Sequence, residues 1–163
     1  KEISEAIPPS VLITLEERPE ILAVAIYDSA MINQIEQLSR DLYKELKQSM
    51  RSGRVNEAGP AFAVYYNWTE DTPIRMRACF PVAEEVRESG RMNLYRLSGG
   101  KVLKAEWKGS YEGLGKVHLD MDAYMADFGM KFRGAGVWEE YTVGPEDNPN
   151  PSEWITHVFY PVE

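Results

Sequence analysis

The chain reads as one unit written twice, and that duplication limits its fold more than any other feature. The first copy opens with a strand-forming run, ILAVAIYDS at 21–29, followed by Ile32, Ile35, Leu38, Leu42 and Leu46. Those spacings of three and four are the stripe of an amphipathic helix. Two more strand-like runs follow, over 61–68 and 74–82, joined by the turn-rich TEDTP. The second copy repeats the order: a strand over 101–110, a helix carrying Leu114, Val117, Met121, Tyr124 and Phe128, then strands over 136–143 and 154–162. Asp28 and Ser29 are N-cap candidates for the first helix, and Gly53 and Gly129 stand where the two helices should close. Phe80-Pro81-Val82 returns as Tyr160-Pro161-Val162, and FAVY at 62–65 returns 76 positions later as WEEY at 138–141. A short extended arm precedes each copy, VLITLEE and MNLYRL.

This predicts an α+β fold in one domain over 1–163, with pseudo-repeats at 11–82 and 92–162. Two β-α-β-β units most simply form one curved antiparallel sheet with both helices on one face. The other face, curved by sheet twist, is then expected to carry a ligand cleft across the pseudo-two-fold axis.

Within the second copy the stretch GVWEEYTVGP places two glutamates in the middle of a strand. Side chains alternate in a strand, so Val137, Glu139, Tyr141 and Val143 share one face, and Trp138, Glu140 and Thr142 share the other. Glu139 is thus a carboxylate in an otherwise apolar and aromatic row. Its repeat partner is Ala63, so the acid belongs to one copy and not to the unit. Two readings stand side by side: a carboxylate facing a ligand, or one that is solvated at an edge or paired with an Arg. In an apolar pocket an unpaired carboxylate is costly, and a lipophilic cation or an electrophilic substrate would each give it work. Glu140 is expected to be solvated, and Trp138 to pack against a helix or the domain edge.

Composition narrows the class. Eighteen Lys and Arg against 26 Asp and Glu leave a net charge of −8, with no basic cluster, which argues against direct nucleic-acid binding. No apolar run is long enough for a membrane span, and no signal-peptide pattern opens the chain, so a cytoplasmic protein of bacterial type is expected. The sequence does not begin with Met, which leaves room for an upstream DNA-binding or other domain. Cys79 stands alone, excluding an internal disulfide and a multi-cysteine metal cluster. No phosphate loop, nucleophile elbow or metal-ligand spacing occurs, so neither cofactor nor metal is expected. His118 and His157 lie far apart in sequence, and Asp120 and Asp122 are taken as solvated.

GPAFAVYYNW, KGSYEGLG, VWEEYTVGP and PSEWITHVFYPV, in that order and spacing, resemble the GyrI-like small-molecule-binding family, also met as the effector-binding domain of AraC- and MerR-type transcription activators. The resemblance covers about 19–162. It implies an aromatic cleft between the units with an acidic residue near its centre, filled by a lipophilic, often cationic, aromatic compound. Glu139 and Tyr141 match the family's strand motif, and Trp107, Tyr111, Tyr65, Tyr66 and Trp68 are further candidate wall residues. The resemblance carries two other activities. One is hydrolysis of cyclopropane-bearing DNA alkylators, in which Glu139 and Tyr141 would be the catalytic pair. The other is inhibition of gyrase through protein contact. The chain departs from the family in His157, where relatives commonly carry Glu, and in lacking a helix-turn-helix segment.

Overall fold

The computed structural model describes residues 11–134 and 136–163. Eight strands form one antiparallel sheet: β1 (Ile13–Arg18), β2 (Ile21–Ala30), β3 (Phe62–Tyr65), β4 (Ile74–Pro81), β5 (Asn93–Leu97), β6 (Gly100–Lys108), β7 (Val137–Val143) and β8 (Ile155–Pro161). Helix α1 (Ile35–Ser52) joins β2 to β3, and α2 (Leu114–Asp127) joins β6 to β7. The α+β class and the curved sheet are as the sequence predicts.

The strand order is β1-β6-β8-β7-β3-β4-β2-β5. Each β-α-β-β copy contributes three neighbouring strands, and the two arms change sides. β1 precedes the first copy yet pairs with β6 of the second, while β5 precedes the second copy and pairs with β2 of the first. This exchange forces the sheet to curl. β1 and β2 lie six strand steps apart, which in a flat sheet is about 29 Å. Only Pro19 and Glu20 join them, a link that spans at most about 11 Å. The same holds for β5 and β6, joined by Ser98 and Gly99. Both ends of the sheet therefore come round until the two links touch. A Cβ on Gly99 would stand 2.7 Å from the Glu20 backbone nitrogen and 2.8 Å from the Arg18 carbonyl oxygen.

The curled sheet has two faces with different fillings. Under α1, Leu42, Leu46 and Met50 pack on Val24, Ile26, Ile74, Met76 and Ala78; under α2, Val117 and Met121 pack on Leu103, Ala105, Val158 and Tyr160. Each buried aliphatic side chain contributes about 2 kcal/mol of transfer free energy. The face away from the helices folds on itself and is filled by Phe62, Val64, Cys79, Val102, Trp138 and Phe159. Trp138 therefore stacks on Phe159, ring centroids 5.5 Å apart, rather than on a helix. The opening for a ligand also differs from the expectation. It lies between α1 and α2, on the helix-bearing face, because curling closes the opposite one.

Some local expectations shift. Asp28 and Ser29 cap no helix; they continue β2, opposite Met76 and Arg75, and a 3-10 turn from Ile32 to Gln34 leads into α1. α1 ends at Gly53, but the left-handed residue is Arg54, with φ 57°. Gly129, with φ 61°, closes α2 as expected. Glu140 is not solvated: Arg18 lies 3.5 Å away and His157 Nδ1 3.4 Å away, on the face opposite the helices.

Candidate functional site

The pseudo-two-fold axis runs between β3 and β7, and the ladder locates it by residue. Ala63 pairs with Glu139, and Glu139 is also its repeat partner. That is the one pair in the ladder whose members are equivalent, so the axis passes through it. A glutamate in both copies would set two carboxylates directly opposite each other, which is destabilising. Ala63, fully buried, leaves that space to one acid. Tyr65 and Tyr141 are the repeat partners on either side, two residues further along their strands.

Glu139 is 8% exposed and stands at the floor of the cleft between the helices. The Tyr141 hydroxyl donates to Oε1 at 2.8 Å, and His118 Nε2 lies 2.7 Å from Oε2. His118 comes from the first turns of α2, where it projects from the helix over β7 and β8. Its other nitrogen, Nδ1, is 2.8 Å from the Tyr160 hydroxyl, which also reaches the His118 carbonyl oxygen at 3.3 Å. The opposite wall is built from the first copy. Tyr43 of α1 donates to the Phe62 carbonyl at 2.6 Å and meets Phe80 edge-on. On the side of the second copy, Tyr111 packs on Tyr141 at 5.5 Å and on Trp154 at 4.8 Å.

The cavity has a volume of 1980 Å³, larger than the few hundred to about 1,000 Å³ of an ordinary small-molecule pocket, because it runs out into the open groove between the helices. Its tyrosines feel the buried acid. Burial first, and then the Glu139 charge, push the hydroxyls of Tyr65 and Tyr141 well above the usual phenol range; for Tyr160 burial comes first, then Asp122, with Glu139 the smallest cause. Burial and then the Glu139 charge bring Tyr111 to about 12. These phenols stay protonated and act as neutral donors at any physiological pH.

Of the residues singled out from sequence, Glu139, Tyr141, Tyr111 and Tyr65 converge on this cavity. Trp68, 60% exposed, stands at the rim, edge-on to Tyr65 at 5.6 Å. Tyr66 touches the cavity margin, but its hydroxyl accepts from Arg77 and donates to Tyr95 on the opposite face. Trp107 does not line the cavity. Its indole donates to the Ser110 carbonyl at 2.8 Å and lies flat on Gly113, where a Cβ would come within 2.1 Å of the ring, so it fixes the entry to α2. Nor does His157, which is held between Glu140 and Glu106 on the far face. Sequence reasoning missed His118, Tyr160, Tyr43 and Trp154. Asp122 is exposed, as the sequence suggests, and it stands at the cleft margin beside Tyr160. Among the described residues no cluster of His, Cys, Asp and Glu could hold a metal ion, and no helix is long and apolar enough to cross a membrane.

Comparison with solved structures finds the same fold elsewhere. The C-terminal domain of EcmrR superposes with a TM-score of 0.82 at 16% identity, covering 94% of this chain and 98% of that one. Longer EcmrR, in a complex with DNA, superposes with a TM-score of 0.80 at 17% identity; the chain spans 57% of its length. SAV2435 bound to tetraphenylphosphonium matches with a TM-score of 0.66 at 13% identity, over 93% and 94% of the two chains. At these identities the likeness speaks for the fold. No curated protein sequence matches the chain. The family profile described as GyrI-like small molecule binding domain matches residues 13–163, nearly the whole length. The chain belongs to the GyrI-like small-molecule-binding family.

Proposed function

We propose that the cleft takes a lipophilic organic cation, with Glu139 as its counter-charge and Tyr65, Tyr111, Tyr141 and Tyr43 as its walls. The observation that carries this reading is a buried carboxylate on the pseudo-two-fold axis, at the floor of an aromatic cavity, with no Lys or Arg paired to it among the described residues. Its two neighbours leave lone pairs of the carboxylate unused, so charge remains to be matched. Aromatic faces around a desolvated cation each add about 0.5–2 kcal/mol. A structural neighbour, SAV2435, is bound to tetraphenylphosphonium, a cation of this kind. The chain would act as an effector-sensing or sequestering module in the cytoplasm. With EcmrR as the pattern, sensing would require a DNA-binding domain beyond this chain.

A hydrolytic reading uses the same carboxylate as a general base on a strained electrophile, and a hydrolase from Listeria innocua is among the structural neighbours, with a TM-score of 0.62 at 12% identity. Both nitrogens of His118 are engaged, so the imidazole has no free lone pair to offer a water molecule and this reading rests on Glu139 as the base. The experiment is mass spectrometry of the protein incubated with a panel of lipophilic cations and cyclopropane-bearing alkylators, recording retained compound and new product. Retained, unchanged cations support the binder. A product formed by the wild type and lost in Glu139→Gln overturns it in favour of hydrolysis. If nothing is retained and nothing is formed, the cleft is not the active feature, and inhibition of a partner protein through the acidic surface takes its place.

A further inference from the structure

We propose that His118 sets which charge the cleft accepts: its imidazolium competes with a cationic ligand for Glu139, so that binding a permanent cation expels a proton from His118. The inference rests on the reading of Glu139 as the ligand's counter-charge and adds the regulation of that site.

The geometry of the ring is built for two protonation states. In the neutral state Nε2–H donates to Glu139 Oε2 at 2.7 Å, and Nδ1 accepts from the Tyr160 hydroxyl at 2.8 Å. In the imidazolium both nitrogens donate. Nδ1–H then points at the Tyr160 oxygen, whose own proton turns to the His118 carbonyl at 3.3 Å or to the Asp122 side chain. The second acceptor beside Tyr160 is what lets this happen with no polar group left unpaired. Among the described residues the titratable groups facing the ring are Glu139 and Tyr141 on β7, Tyr160 on β8 and Asp122 one turn on in α2, with no Lys or Arg. The ring is on the cleft wall with its side chain 24% exposed, so protons reach it from solvent.

The consequence follows from charge. With the imidazolium in place the charge of Glu139 is matched, and an arriving cation meets a like charge. With neutral imidazole the floor carries the full charge of Glu139. A cation about 6 Å from the ring, at an effective dielectric of about 20, is disfavoured roughly 100-fold by the imidazolium. Cation affinity therefore rises with pH, by up to about tenfold per pH unit where the ring exchanges one proton, and levels off once it is neutral. A neutral ligand of the same shape lacks this dependence.

The test titrates tetraphenylphosphonium, whose charge does not change with pH, into the protein from pH 5.5 to 8.5. Calorimetry in buffers of different ionisation enthalpy counts protons released, and triphenylphosphine oxide serves as the neutral probe. The expected result is affinity that climbs with pH, proton release at the low end, and a flat profile for the neutral probe. His118→Gln keeps a donor to Glu139 and should flatten the pH profile of cation binding, whatever its absolute affinity. Cation binding that needs Glu139 but shows no pH slope and no proton release overturns this inference and leaves the cleft reading standing. Absence of tetraphenylphosphonium binding at every pH overturns both. The calorimetric proton count uses the wild type alone, so it decides even if the His118 variant folds poorly.

Discussion

Gly99 is the point where the curl of the sheet can be tested with one methyl group. The links Pro19–Glu20 and Ser98–Gly99 meet because each arm pairs with the other copy. In Gly99→Ala the added Cβ would fall 2.7 Å from the Glu20 nitrogen, 2.8 Å from the Arg18 oxygen and 2.9 Å from the Pro19 carbonyl carbon. All three are backbone atoms, so no flexible side chain can give way. Overpacking of this kind costs about 1–3 kcal/mol, and rigid neighbours put it at the upper end, about 3 kcal/mol. For a chain of this size that is roughly 6–12 °C in Tm. Gly115→Ala is the control: nothing lies within 4 Å of its Cβ, and it sits in α2, so the change should hold or raise stability by up to ~1 kcal/mol. Urea unfolding and thermal melts read both. A Gly99→Ala midpoint within about 0.5 kcal/mol of the wild type would refute the claim that the two links abut and that the sheet closes on itself.

Two further outcomes follow from the polar groups. Tyr141→Phe removes the hydroxyl that donates to Glu139 at 2.8 Å and should cost about 1–2 kcal/mol, while the charge, and hence the affinity for tetraphenylphosphonium, changes by less than about fivefold; melts and titrations on the same variant read the two effects. On the far face, the hydrogen bond to Glu140 is the main cause that raises the His157 pKa. Burial pushes Glu140 up, but His157, Arg18 and Lys104 outweigh it and hold the carboxyl below its usual range. A raised His stabilises fully below its ordinary value and loses this as pH rises through the folded one. A lowered carboxyl stabilises above its ordinary value and loses this as pH falls. The pair therefore supports the fold most between about pH 4.5 and 6.5. Melting temperatures should show the wild type losing stability relative to His157→Gln between pH 6.5 and 8; parallel curves would remove the pair from the account.

Much of this was legible in the sequence because duplication leaves a pattern in the order of residues. The offset of 76 set Glu139 against Ala63, and the same two residues turn out to face each other across the axis. Alternation in β7 put Glu139 and Tyr141 on one face, and helical spacing found the buried stripe of α1. What could not be read were partners chosen by tertiary pairing. Nothing local says that β1 pairs with β6 rather than with its own unit, so the exchange of arms that closes the curved sheet, and with it the side on which the cleft opens, stayed hidden. His118 was missed because its partners lie 21 and 42 positions away on two different strands, a separation no motif spacing records. Glu140 looked solvated because strand alternation alone cannot show that Arg18 and His157 close over it. Trp107 sits beside the cleft in sequence, but the tight approach of Gly113 turns it under the start of α2.

The central claim is that Glu139 is there for a cation, and one titration reaches it most directly. Tetraphenylphosphonium affinity is measured for the wild type and Glu139→Gln at pH 8, with melts recorded alongside. A cation about 5 Å from the carboxylate, at an effective dielectric of about 20, gains about 3 kcal/mol, so Glu139→Gln should weaken binding on the order of 100-fold. Gln keeps partners for Tyr141 and His118, and the lost charge-assisted bonds are offset by relief of carboxylate desolvation, so Tm should move by no more than about 4 °C. Equal affinity in the two proteins, with the fold intact, would contradict the account.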